Sequence, residues 1–138
     1  MTTLSRQLRV NVDEAAKSIV LAIQGEIRSR ELADDMIAAF QLIPDCHLYK
    51  RVYDYRRSTG LFDYGEIARV VAWWNTHVDG RATETKVAIL TRDILFAVRA
   101  RLFDQQSITS HIRHFSHMRD VMAWFETNER SGLQAQTP

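Results

Sequence analysis

The sequence predicts an α/β domain: a five-stranded, mostly parallel sheet with an antiparallel first strand and four helices, in the order ββαβαβαβα. Three observations predict it. Two short apolar segments open the chain, Leu8–Asp13 and Ser18–Ile23, close enough together for an antiparallel hairpin. Helical stripes then alternate with further strand-like segments at Leu48–Tyr55, Lys86–Leu90 and Ile108–Phe115, a spacing that implies parallel crossovers. The length of 138 residues, with 46% hydrophobic and 25% charged, is ordinary globular usage and suits one domain over 1–138. Its core is expected over 8–126, with a frayed polar tail at 131–138.

Each element has its own signal. Leu8, Val10 and Val12 alternate with Arg9, Asn11 and Asp13, the period of a half-exposed edge strand. Ile19 to Ile23 is apolar without alternation, as in a central strand covered on both faces, and Gly25 is expected to end it. Leu32, Met36, Phe40 and Ile43 form one helical stripe, capped near Ser29 and stopped by Pro44. Tyr and Val mark a third strand over Leu48–Tyr55, and Arg56 to Phe62 reads as a loop. Asp63 and Glu66 have the form of a capping box ahead of a helix carrying Ile67, Val70, Val71, Trp74 and Val78. Lys86–Leu90 is a buried strand. The helix after it carries Leu95, Phe96, Val98, Leu102 and Phe103. Ile108–Phe115 is polar enough for a sheet edge. A final helix presents Met118, Val121, Met122 and Phe125 on one face. Right-handed crossovers set helices against both faces, and the strand order is left open.

Composition excludes several classes. Eighteen basic and seventeen acidic residues give a net charge of +1, too even for a whole-molecule attraction to nucleic acid or anionic membrane. One cysteine, Cys46, precludes an internal disulfide and a Cys-rich zinc site. No apolar run approaches the roughly 20 residues of a membrane span, and the N-terminus lacks a signal-peptide core, so a cytoplasmic setting is expected.

The order of elements and several local phrases resemble the STAS superfamily, and within it the SpoIIAA-like (anti-sigma-factor-antagonist-like) bacterial domains. The phrases are Ile23-Gln24-Gly25-Glu26-Ile27, Val52-Tyr53-Asp54-Tyr55-Arg56, Lys86-Val87-Ala88-Ile89-Leu90 and Met122-Ala123-Trp124-Phe125, spread over most of the chain. The resemblance implies the fold and a role in protein contact, homodimerisation or hydrophobic-ligand binding. It also implies a phosphorylatable serine just inside the second helix. Here that stretch reads Asp63-Tyr64-Gly65-Glu66, and the nearby serine is Ser58, beside Arg56 and Arg57.

Candidate chemistry concentrates after the third strand. In open parallel sheets ligands bind beyond the carboxyl ends of strands. Asp54, Arg56, Arg57, Ser58 and Thr59 leave such an end, and Arg92 follows the next strand; together they form a candidate anion site. Asp54 and Glu26 could meet there as paired carboxylates. The competing reading is that the arginines pair with Asp54, Asp63 or Asp93, and that the hydroxyls serve turns. Ser58 is also the candidate phosphorylation site, where the two arginines would pair with the phosphate. His111, His114 and His117 do not converge on a strand or a helix, so no metal site is expected, nor any cofactor. Trp73, Phe96 and Phe103 widen two helical stripes. They read as core or as an apolar patch for a partner, a second copy or a lipid-like ligand. Two functions remain: a non-enzymatic regulatory or binding module, or a small enzyme acting on an anionic substrate at the Asp54/Arg56/Arg92 rim. No catalytic constellation, phosphate loop or dinucleotide fingerprint is present in the sequence.

Overall fold

Strand β1 (Thr2–Thr3), β2 (Leu8–Asp13), β3 (Ser18–Glu26), β4 (Lys50–Thr59), β5 (Thr85–Leu90) and β6 (Ser110–Phe115) lie side by side in chain order in a computed structural model. The structure describes residues 2–3, 5–78, 85–93, 95 and 110–127. The pairs β1–β2 and β2–β3 are antiparallel; β3 to β6 are parallel. The two-residue β1 adds a strand that its two threonines alone did not announce. The α-helices among the described residues are α1 (Ser29–Leu42), α2 (Tyr64–Val78) and α3 (Met118–Phe125). The helix expected to carry Phe96 and Phe103 lies outside the described residues, apart from its exposed Leu95.

A sheet built in chain order steps the same way at every crossover, so right-handed connections bring successive helices to one face. Accordingly α1 and α2 pack on each other and share one core. Leu8, Val10, Ile19, Leu21, Ile23, Tyr53, Tyr55, Val87 and Ile89 meet Leu32, Met36, Phe40, Val70 and Trp74 there. The opposite face carries a smaller core in which Val52, Ala88 and Leu90 pack against Val121, Trp124 and Phe125 of α3. Met122, expected on the inner face of that helix, is 39% exposed, and Trp124 takes the buried place.

β5 is buried at every residue, as expected of a strand sandwiched between helices. β3 alternates instead: Ile19, Leu21 and Ile23 are buried, while Val20 and Ala22 on the other face are half-buried. Val20 packs against the smaller core on that other face, so the run has apolar contacts on both sides, closer on the side of α1 and α2.

Two charged side chains are buried within these layers. Lys86 projects toward α3, where its ammonium donates to the carbonyls of Trp124 (2.7 Å) and Thr127 (2.8 Å) and to the Thr127 hydroxyl (2.9 Å). A cation at a helix C-terminus satisfies carbonyls that lack intrahelical partners. Arg51 projects toward α2. Its guanidinium carbon lies 3.6 Å from the Trp74 ring centroid, and Nη1 donates to the Tyr53 hydroxyl at 3.2 Å.

Helix starts differ from the sequence expectation in an instructive way. α1 begins with Arg28 as its N-cap, and Ser29 is already helical. The Ser29 hydroxyl accepts from Asp63 N–H at 2.8 Å and donates to the Leu61 carbonyl at 3.4 Å, so it ties α1 to the chain leading into α2. Asp63 caps α2 by accepting from Gly65 N–H, but Glu66 does not return the bond. Its carboxylate turns to Arg69, which also reaches Asp34 of α1 at 2.8 Å. No capping box closes: Asp63 caps Gly65 rather than Glu66, its own N–H is taken by Ser29, and the glutamate is drawn to Arg69.

Candidate functional site

The sheet's C-terminal rim is built from the ends of β3, β4 and β5. The segment Arg56–Thr59, expected as a loop, continues β4. The reason lies in its neighbour: β3 also runs past Gly25, which adopts φ 78°, to Glu26. Gln24, Gly25 and Glu26 pair with Arg57, Ser58 and Thr59, and Ile27 N–H donates to the Thr59 carbonyl at 3.0 Å. A bulge makes this register work. Ala22 pairs with Asp54 and Gln24 with Arg57, so Ile23 faces two residues, Tyr55 and Arg56. β4 ends at Gly60, whose φ of 83° turns the chain toward α2.

Within the rim, Asp54 and Arg56 form a closed pair. Arg56 Nε donates to Asp54 Oδ1 at 3.0 Å and Nη2 to Oδ2 at 2.9 Å; the Arg56 backbone N–H adds a third bond to Oδ1 at 3.1 Å. Such a fork is the strongest geometry available to an arginine and a carboxylate. Donating these bonds to Asp54 raises the Arg56 pKa above its already high ordinary value. The Ser58 hydroxyl is half-buried and donates to the Tyr55 carbonyl at 2.7 Å, a local turn bond. Arg57, Thr59 and Arg92 are exposed. The pairing of Asp54 with Leu90 brings Arg92, two residues beyond β5, to the level of Arg56 on the adjoining strand. Asp54 and Glu26 are not brought together: Asp54 is level with Ala22, four residues or about 13 Å before Glu26.

Beneath the rim, Tyr55 is buried, and that burial pushes its phenol pKa well above the ordinary value, with Tyr53 adding to the effect. Cys46 is buried as a small thiol in the core. Trp73 stacks between Phe40 (6.0 Å) and the exposed His77 (4.5 Å), half-buried at the edge of the α1–α2 layer. Its proposed patch-mates Phe96 and Phe103 lie outside the described residues. Among the described residues no three His, Cys, Asp or Glu side chains gather as metal ligands. No helix among them is long and apolar enough to cross a membrane.

A cleft of about 400 Å³ opens at the same end of the sheet, two strands toward the β2 edge. Its walls are Ser5, Arg6, Gln7, Gln24, Gly25, Glu26, Arg28, Glu31 and Asp35. Sequence reasoning placed only Glu26 near here. The others come from three separate segments, joined by the β2–β3 pairing and the start of α1, and no local phrase marks them.

The fold is similar to that of a solved structure. A crystal structure of an uncharacterized protein of the DUF3478 family from Shewanella loihica PV-4, with a SpoIIAA-like fold, superimposes with a TM-score of 0.57. The chain has a SpoIIAA-like fold. The similarity covers 91% of this chain and 98% of that one at 14% sequence identity, so what the two share is the SpoIIAA-like framework. No family model matches the sequence, and no curated protein matches it. Within this framework the carboxyl ends of β3 to β5 carry the Asp54–Arg56 fork, and the cleft lies beside it at the β2–β3 edge.

Proposed function

We propose that the chain is a non-enzymatic, STAS-like regulatory or binding module, acting through protein contact or a small ligand. The observation that carries this reading is the fork. Both Asp54 oxygens accept from Arg56, so this carboxylate–arginine pair at the rim is spent on itself. An acid–base enzyme at Asp54, Arg56 and Arg92 would have to break that pair before either group met a substrate. A binding surface has no such requirement, and the fork stiffens it. Leu61 (54% exposed) and Tyr64 (39% exposed) lie just beyond β4 and give this end of the molecule apolar contact area.

Native mass spectrometry of the purified chain tests the proposal. The expected result is a mass above the 16.0 kDa of one chain, from a second copy or a retained small molecule. A bare monomer that hydrolyses or transfers anionic substrates, with the activity lost in Asp54→Asn, would establish the enzyme reading instead.

A further inference from the structure

We infer that the cleft between β2, β3 and α1 is a binding site for a small zwitterion with one further cationic group, the chemistry of a basic amino acid. The inference rests on the small-ligand arm of the proposed function and assigns it a place away from the fork.

The volume of about 400 Å³ is that of a small-molecule site. The charges in its walls are mixed: Arg6 and Arg28 against Glu26, Glu31 and Asp35, a sum of −1. Opposite charges around one cleft ordinarily neutralise each other. Here, among the described residues, no ion pair joins any of the five; the salt bridges lie at Asp54–Arg56 and around Arg69. Glu31 and Asp35 are one turn apart on α1, a like-charged spacing that is unfavourable until a cation lies between them. One oxygen of Asp35, Oδ2, is sealed from solvent without a hydrogen-bond partner. That oxygen is closed to the cleft as it is to solvent, so a ligand meets the half-buried Asp35 only through the rest of its side chain.

The two arginines that line the cleft are held in place at the backbone. Gln7 bridges Arg28, accepting from its N–H at 3.0 Å and donating to its carbonyl at 3.3 Å. Gln24 donates to the Arg6 carbonyl at 3.0 Å. Arg28 is also the N-cap of α1 and provides no side-chain cap, so unpartnered first-turn N–H groups accompany its positive charge. A carboxylate suits the arginine side of this cleft, and two cationic groups suit Glu26, Glu31 and Asp35. A ligand of charge +1 with that distribution complements the walls.

Isothermal titration calorimetry of the full chain tests this with three probes. L-Arginine carries all three charges, agmatine lacks the carboxylate, and L-citrulline lacks the side-chain cation. The expected result is saturable L-arginine binding by about 10 mM, with agmatine and citrulline each about tenfold weaker or worse. Glu31→Gln and Arg28→Gln each weaken L-arginine about tenfold, while the thermal midpoint of the unliganded protein stays within a few degrees of wild type. No saturable heat with L-arginine, equal binding of all three probes, or unchanged affinity in both variants overturns the assignment. If L-arginine fails while native mass spectrometry still shows a retained small molecule or a second copy, this ligand class falls and the module reading stands.

Discussion

Arg56 clasps Asp54 two residues earlier on the same strand, with Nε on one carboxylate oxygen and Nη2 on the other, at 3.0 and 2.9 Å. Short-range pairs of this kind are common on exposed strands and contribute little there. This one is better placed, because its side chains are 15% and 30% exposed and the Arg56 N–H joins the same oxygen. Arg56→Met is expected to destabilise the fold by about 1 kcal/mol, and Arg56→Lys to restore less than half of that because an ammonium cannot fork. Urea denaturation of both variants measures it. A Lys variant equal to wild type would mean that charge alone, and not the fork, matters.

The fork also shows which parts of the fold were legible. Alternation in Leu8–Val12 and the apolar runs at Ile19–Ile23 and Lys86–Leu90 are local signals, and each appears in the structure as a strand. The continuation of β4 through Arg56, Arg57, Ser58 and Thr59 was not legible. Nothing in that polar run favours a strand; it is extended because Gln24, Gly25 and Glu26 lie alongside to pair with it. The cleft was illegible for the same reason. Ser5, Gln24 and Glu31 meet only through the β2–β3 register and the direction in which α1 leaves the sheet. Pairing of Arg56 with Asp54 was one of the readings open in the sequence; its geometry was not, because the two share a strand face only once β4 extends through Arg56.

Lys86 provides the second prediction. Its ammonium donates to the Trp124 carbonyl of α3 and to the carbonyl and hydroxyl of Thr127 just beyond it, at 2.7–2.9 Å, in a place that is 8% exposed. Lys86→Met keeps the stem's packing and removes three bonds from the ammonium, after which the Trp124 carbonyl still accepts from Thr127. The expected loss is about 2–3 kcal/mol, the range for hydrogen bonds from a buried charged group. Hydrogen exchange distinguishes local from global effects: amides of α3 should lose protection first, those of β3 and β4 least. Uniform loss across the sheet would contradict the view that Lys86 fastens α3 specifically.

Arg51 is a charge buried against an indole. With its guanidinium carbon 3.6 Å from the Trp74 centroid, the contact is desolvated on both sides. Cation–π pairs in such surroundings contribute about 2 kcal/mol. A double-mutant cycle of Arg51→Met and Trp74→Leu is expected to give a coupling energy of that order. Additive single effects would show that the two side chains merely share a core.

Tyr55 sets an alkaline limit on stability. Burial holds its folded-state pKa well above the ordinary 10.0, with the Tyr53 charge a smaller contribution. The unfolded chain releases that proton near pH 10, whereas the folded chain retains it, so above that pH the unfolded state binds fewer protons and stability falls as pH rises. The contribution is fully present below pH 10 and is lost above it at up to about 1.4 kcal/mol per pH unit. Other tyrosines and lysines titrate in the same range, so the decisive quantity is the difference between wild type and Tyr55→Phe, whatever offset the substitution itself produces. Denaturant midpoints taken from pH 8 to 11 should show the wild-type curve descending more steeply than that of the variant. Parallel curves would mean that the Tyr55 phenol ionises as readily in the fold as in the unfolded chain.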